Sequence, residues 1–243
     1  MSRANSTSKG IQNTVRRALF LVARQDDKLK SLASEIRKKF NISIETAELD
    51  VSKSAAVNRW KSEKAQLLSQ VEVLINSAGL AKGYGPFQNN RTEDWDTMID
   101  TNLKGLLYMT HAIVPYFTQR KAGHIIHLGS IAGRWSYANG NVYCATKSAV
   151  AMLTETMRID LAGTGIRVTN ICPGMVKTNF SKVRFEDEQK ADAVYKGMTP
   201  LTASDIADAV FWAYSRPPHV NIQEIVLYPT EQASASIVSR KTT

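Results

Sequence analysis

Tyr143 and Lys147, four residues apart in Val142-Tyr-Cys-Ala-Thr-Lys147, are the residues of this sequence best placed for chemistry. On a helix that spacing sets a phenol and an ammonium on one face, one turn apart. A free phenol, with a pKa of about 10, is a poor acid at neutral pH. A fixed cation beside it favours the phenolate and draws that value down. Such a tyrosine can exchange a proton with a carbonyl or alcohol oxygen while hydride moves at the carbon. Alone, the pair also fits a tyrosine packing its ring beside a solvated lysine.

The elements that must position the pair follow from hydrophobic periodicity. Ala18–Ala23 reads as a buried strand and 26–40 as a helix of period near 3.6. A strand over 42–49 precedes a helix over 52–69 opened by a Ser52 cap, and 71–75 is a strand ending on Asn76-Ser-Ala-Gly79. Helices are predicted at 92–100 and 102–121, a strand at 124–129, a helix at 141–162 and a strand at 166–171. A loop with a helix covers 173–200, 203–214 is helical, and 222–227 is the last strand. Strands alternating with helices of this length predict an α/β fold, a doubly wound parallel sheet (Rossmann-like) in a single domain spanning 1–243. Ligands in such sheets bind beyond the carboxyl ends of the strands, here Arg24, Asp50, Asn76, Ser130 and Pro173.

Composition bounds the class. Hydrophobic residues make up 43% of 243, enough for a sizeable core, and no apolar run approaches a membrane span. The first residues lack the apolar stretch of a secretory signal. Cys144 and Cys172 lie far apart, without metal-ligand spacing, and read as reduced thiols of a cytoplasmic protein. The net charge of +9 is concentrated in residues 1–40, but no zinc finger, basic zipper or aromatic RNA motif accompanies it. The expected partner is a small molecule, with no nucleic acid and no membrane. His111, His124, His127 and His219 show no metal spacing, and Trp60, Trp95, Trp135 and Trp212 read as packing residues.

Asn76-x-Ala78-Gly79, Asn102, Gly129-Ser130, Tyr143-x-x-x-Lys147 and Pro173-Gly174 occur in that order. This set resembles the short-chain dehydrogenase/reductase family from about residue 18 to the C-terminus. The resemblance implies that Tyr143 is the general acid or base and that Ser130 polarises the substrate oxygen. It implies that Lys147 depresses the pKa of Tyr143 and holds the nicotinamide ribose, and that Asn102 holds a water leading from Lys147 to solvent. Asp50 and Val51 would contact adenine. Asn76 and Ala78 would flank the cofactor, and Pro173, Val176 and Thr178 would meet its carboxamide. Arg24 follows a strand where an acidic residue selects NAD and an arginine accommodates a 2′-phosphate, which points to NADP. Asp26, two residues on, opposes that choice.

One part departs from the family pattern. The glycine-rich turn for the pyrophosphate aligns with Asn5-Ser-Thr-Ser-Lys-Gly-Ile-Gln12, where Gly10 is retained while Ser6 and Gln12 occupy glycine positions. Nothing before Asn5 can form the first strand, so the first strand and glycine turn read as truncated.

Within the family, Gly129-Ser-Ile-Ala-Gly133, Phe180-Ser-Lys-Val-Arg-Phe185 and Tyr228-Pro-Thr-Glu-Gln232 are similar to NADP-dependent 3-hydroxy acid dehydrogenases. These act on serine and related 3-hydroxy acids. A carboxylate substrate needs a cation, for which Arg134 and Arg184 are the candidates. Residues 175–200 would form a lid over substrate, and the resemblance implies a homo-oligomer, dimer or tetramer. Two alternatives stay open: a reductase of 3-oxoacyl compounds or general ketones, and a catalytically impaired relative acting through oligomerisation.

Overall fold

The computed structural model describes residues 18–241. The chain groups into two compact units, Met1–Asp50 and Val51–Thr243. The expectations for Gly10, the altered glycine turn and the missing first strand lie outside the described residues.

In the first unit, β1 (Ala18–Ala23) and β2 (Ser43–Glu48) pair in parallel, with Ala18 opposite Ser43 and Ala23 opposite Glu48. A parallel pair needs a crossover, and α1 (Asp26–Lys39) supplies it. Its first turn holds Asp26 and Asp27 and its last turn Arg37, Lys38 and Lys39, each sign opposing the helix dipole at its end. Leu29 and Ala33 form its buried stripe.

The second unit carries a parallel sheet ordered β3-β4-β5-β6, formed by Val73–Asn76, Gly123–Leu128, Ile166–Pro173 and Glu224–Leu227. Ile126 and Ile171 face α9 (Ala203–Tyr214), where Ile206, Leu201 and Val210 complete an apolar layer. A full capping box between Thr202 and Asp205 starts α9. α5 (Leu106–Arg120) and α6 (Asn141–Asp160) cover the opposite face, as the Asn76–Thr110 and His127–Thr154 contacts record. The sheet is thus covered on both sides, as its apolar strands require.

Two local predictions are corrected. The helix predicted over 52–69 is two helices, α2 (Ser54–Glu63) and α3 (Ala65–Leu68), and Lys53 stands at the N-cap without a side-chain cap bond, in place of Ser52. The helices predicted at 92–100 and 102–121 are α4 (Thr92–Ile99) and α5, joined through a π-helical turn at Asp100–Gly105. Asn102 sits in that turn.

His124 and His127 point to opposite faces of β4, and both are fully buried. His124 Nε2 lies 2.8 Å from Thr169 Oγ1 and His127 Nδ1 2.9 Å from Thr154 Oγ1. The second nitrogen of each ring has no hydrogen-bond partner among the described residues. Burial, aided by Arg167 and Lys147 respectively, pushes both imidazoles down to about 4. The unfolded histidine takes up its proton near 6.5 and the folded one only near 4, so between those values the unfolded chain binds more protons. Stability is therefore complete above pH 6.5 and falls toward pH 4, by on the order of 3 kcal/mol for the more deeply buried His127. Thermal unfolding at pH 7 and pH 5 should show this loss, and His127→Asn should flatten it. An unchanged pH dependence in the variant would refute the assignment.

Candidate active site at the carboxyl ends of the strands

Tyr143, Thr146, Lys147, Val150 and Thr154 form the buried face of α6. Tyr143 and Lys147 are 8% and 7% exposed, so the one-turn spacing becomes a buried phenol beside a buried ammonium. Lys147 Nζ donates to Leu128 O at 2.7 Å and stands 6.0 Å from the centre of the Tyr143 ring. Ser130 leaves β4 in an extended conformation, and its Oγ accepts from Ala132 N at 3.1 Å, which starts the 3-10 turn Ile131–Gly133. That turn lies directly on α6, where a Cβ at Gly133 would come 2.5 Å from Lys147 O. The close approach sets the Ser130 hydroxyl toward Tyr143, where it favours the phenolate.

The electrostatics differ from the expectation that Lys147 lowers the Tyr143 pKa. Burial holds the Tyr143 phenol well above its usual range, and the groups opposing burial are the Ser130 hydroxyl and the Arg184 charge. Lys147 itself falls to about 8, because burial penalises its charged form. The ammonium faces the ring and is tied to a backbone carbonyl, so its effect on the phenol is secondary to depth.

Asn102 is buried and its amide pairs with one residue's backbone. Oδ1 accepts from Leu80 N and Nδ2 donates to Leu80 O, both at 2.8 Å, and Nδ2 also reaches Thr146 Oγ1 at 3.2 Å. Its side chain therefore fastens the segment after β3 to α6, one residue from Lys147, with both amide hydrogens engaged. Asn76 likewise turns inward, donating to Thr110 Oγ1 at 2.9 Å. Ser77, Ala78 and Gly79 remain exposed between these anchors. A Cβ at Gly79 would lie 3.4 Å from Asn102 Oδ1 and 3.5 Å from Lys147 Nζ. This shelf of small residues beside a buried ammonium fits a flat ring and sugar hydroxyls. Lys147, with three donors, has Leu128 O as its protein acceptor.

Beyond β5, the Pro173–Thr178 segment is held from elsewhere. Gln232 Oε1 accepts from Met175 N at 2.8 Å, Val176 bridges to Leu201, and Thr178 Oγ1 accepts from Phe180 N at 3.2 Å. Val51 packs against the backbone of Gly105. In the first unit, Arg24 follows β1 directly and is exposed, whereas Asp26 pairs with Lys30 at 2.5 Å in the first turn of α1. Asp50 follows β2.

The two candidate carboxylate-binding arginines part company. Arg134 Nε lies 3.1 Å from both oxygens of Glu224. Arg184, on α7 (Phe180–Phe185), stacks over Tyr84, Tyr137 and Tyr143 at 5.0, 5.5 and 5.8 Å. It donates through Nη1 to Tyr137 Oη at 2.7 Å and through Nη2 to Asn139 O at 3.2 Å, and its buried Nε has no protein partner among the described residues. Tyr84, Tyr137, Glu224 and Gln232 were not singled out from the sequence, where only the Tyr228–Gln232 stretch hinted at the last.

The short chain dehydrogenase family profile matches residues 12–189. The NADP-dependent 3-hydroxy acid dehydrogenase YdfG of Salmonella typhi is 44% identical over 216 residues, 88% of this chain and 86% of that protein. Sulfoacetaldehyde reductase 2 of Chromohalobacter salexigens is 42% identical over 92% of this chain and 89% of its own. Among solved structures, the closed form of serine dehydrogenase complexed with NADP+ superposes with a TM-score of 0.83 at 41% identity, covering 92% of this chain and 89% of that one. A buried Tyr143–Lys147 pair met by Ser130, on a parallel α/β sheet that matches these proteins over most of its length, makes this chain a member of the short-chain dehydrogenase family.

Proposed function

We propose that the protein is an NADP-dependent oxidoreductase that interconverts small 3-hydroxy acids and their carbonyl counterparts. The observation that carries this reading is the placement of the Arg184 guanidinium over the face of the buried Tyr143, one turn from Lys147. NADPH, when bound, supplies hydride to the carbonyl carbon. Tyr143 gives its proton to the carbonyl oxygen, which yields the alcohol, and the reverse steps oxidise it. Ser130 donates to the same oxygen as negative charge develops there. Lys147, with a pKa of about 8, is charged at neutral pH and would hold the ribose hydroxyls of the cofactor beside Gly79. Asn102 positions that shelf.

Around this centre Asn76, Pro173, Val176 and Thr178 support the nicotinamide end, and Asp50 and Val51 the adenine end. Arg24 receives the 2′-phosphate, supported by the engagement of Asp26 with Lys30. Residues 1–243 then act as one domain, with 175–200, which carries α7 and α8 (Glu188–Ala193), as the substrate lid. The reading includes a homo-oligomer, supported by the exposed Met152 and Ile159 on α6, and a cytoplasmic setting, supported by two free buried cysteines.

Arg184 is the group that would pair with the substrate anion, while Arg134 is taken by Glu224. The sulfoacetaldehyde reductase relative favours a second reading in which the anion is a sulfonate, since both anions suit a guanidinium fork. Rates with serine, 3-hydroxypropionate and sulfoacetaldehyde, each measured with NADP(H) and NAD(H), separate the two. Absence of saturable NADPH binding at millimolar concentration would overturn both. Arg184→Met should raise KM for the anionic substrate by roughly 30-fold, and Arg134→Met should change it less than about twofold. Equal KM effects of the two substitutions would count against the assignment.

A further inference from the structure

Beside Ser130, at the ends of β5 and β6, lies a polar cluster that the proton-transfer chemistry does not use. In the register of β5 against β6, Asn170 stands opposite Glu224, and Cys172, two residues on, shares its face. The Glu224 carboxylate accepts from Asn170 Nδ2 at 3.0 Å, from Cys172 Sγ at 3.1 Å and from Arg134 Nε at 3.1 Å to each oxygen. Asn170 and Cys172 are fully buried, and the Glu224 side chain is 19% exposed. Burial and the neighbouring carboxylate keep Cys172 a protonated thiol, able to donate to Glu224, and Gly129 N donates to Ile171 O at 2.8 Å, which carries the strand pairing on to set Ser130 beside Cys172. Arg134 follows the 3-10 turn that Ser130 starts.

We propose that Glu224 is a positioning residue for the reaction at Ser130: through Cys172 it fixes the start of the Ser130 turn, and through Arg134 it fixes the end. Both ends of the five-residue segment Ser130–Arg134 are thereby tied to β6, leaving the Ser130 hydroxyl a single location near Tyr143. Displacement of a reacting group by about 1 Å can cost on the order of 10²-fold in rate, so a partial loosening should be visible in kcat. The proposal rests on Ser130 acting on the substrate oxygen.

The test is a set of variants in the whole enzyme, with kcat normalised to the fraction that binds NADPH so that loss of folded protein does not enter. Glu224→Gln, which removes the ionic tie to Arg134, should lower kcat roughly tenfold and leave KM for NADPH within about twofold. Cys172→Ser, which keeps a donor and an acceptor, should retain more activity than Cys172→Ala. In a Ser130→Ala background Glu224→Gln should have no further effect, because the two act through one hydroxyl. Additive losses in the double variant, or an unchanged kcat in Glu224→Gln, would overturn the proposal. A Ser130→Ala enzyme with undiminished kcat would overturn the reading of the site on which it stands.

Discussion

Tyr143→Phe is expected to lower kcat by about 10³-fold while NADPH affinity and stability stay near their original values. The substitution removes one oxygen and retains the ring, and the ring makes the packing contacts. It lies 5.5 Å from the Phe180 ring and under the Arg184 guanidinium, in a cluster with Leu80, Ala81, Met98, Ala132 and Cys144. The hydroxyl lost belongs to a side chain that is 8% exposed, and the neighbouring Ser130 Oγ keeps its contact with Ala132 N. Exchange of a buried phenol for phenyl is therefore close to neutral in stability, and a loss of activity cannot be ascribed to unfolding. Steady-state rates beside a fluorescence titration with NADPH check this. A fall in kcat smaller than about tenfold would show that another group delivers the proton.

The part of this site that was legible in the sequence is the part set by short spacing. Tyr143 and Lys147 share a face because α6 is a regular helix, and Ser130 follows β4 because an apolar run ends there. What spacing could not give is depth. The expectation that Lys147 lowers the Tyr143 pKa treats the two groups as if alone. In the fold both are buried, and burial moves the phenol up and the ammonium down. The π-helical turn that carries Asn102 was hidden for a related reason, since 92–121 has helical periodicity throughout and only contact with Leu80 shows where the ladder widens. Arg134 and Arg184 were equal candidates because each is an arginine in a loop-rich region. Their partners, Glu224 and Tyr137, lie 90 and 47 residues away, and only the pairing of strands and the return of the 175–200 segment assign them.

Lys147→Met should abolish measurable turnover and, at the same time, make the protein more stable at pH 7. The ammonium is 7% exposed, with a single protein acceptor among the described residues, Leu128 O, so its charge is poorly repaid for leaving water. In the unfolded chain the lysine holds its proton to about 10.5, and in the folded one to about 8. Between those values the unfolded state binds more protons, so stability rises with pH through that window and is at its lower level below pH 8. The corresponding penalty at pH 7 is on the order of 3 kcal/mol. Methionine of similar length restores an apolar fit but leaves Leu128 O without its donor, so a net gain of roughly 1–2 kcal/mol is expected. For a chain of this size that is about 2–8 °C in Tm at pH 7. The variant should also lack the share of the rise between pH 8 and 10.5 that wild type owes to Lys147. Activity and stability then move in opposite directions at one residue, as expected where a charge is buried for chemistry and not for folding. A Lys147→Met protein that melts below wild type at pH 7 and keeps the full alkaline rise would show that the ammonium is a structural tie to Leu128, and would remove the ribose-holding role assigned to it.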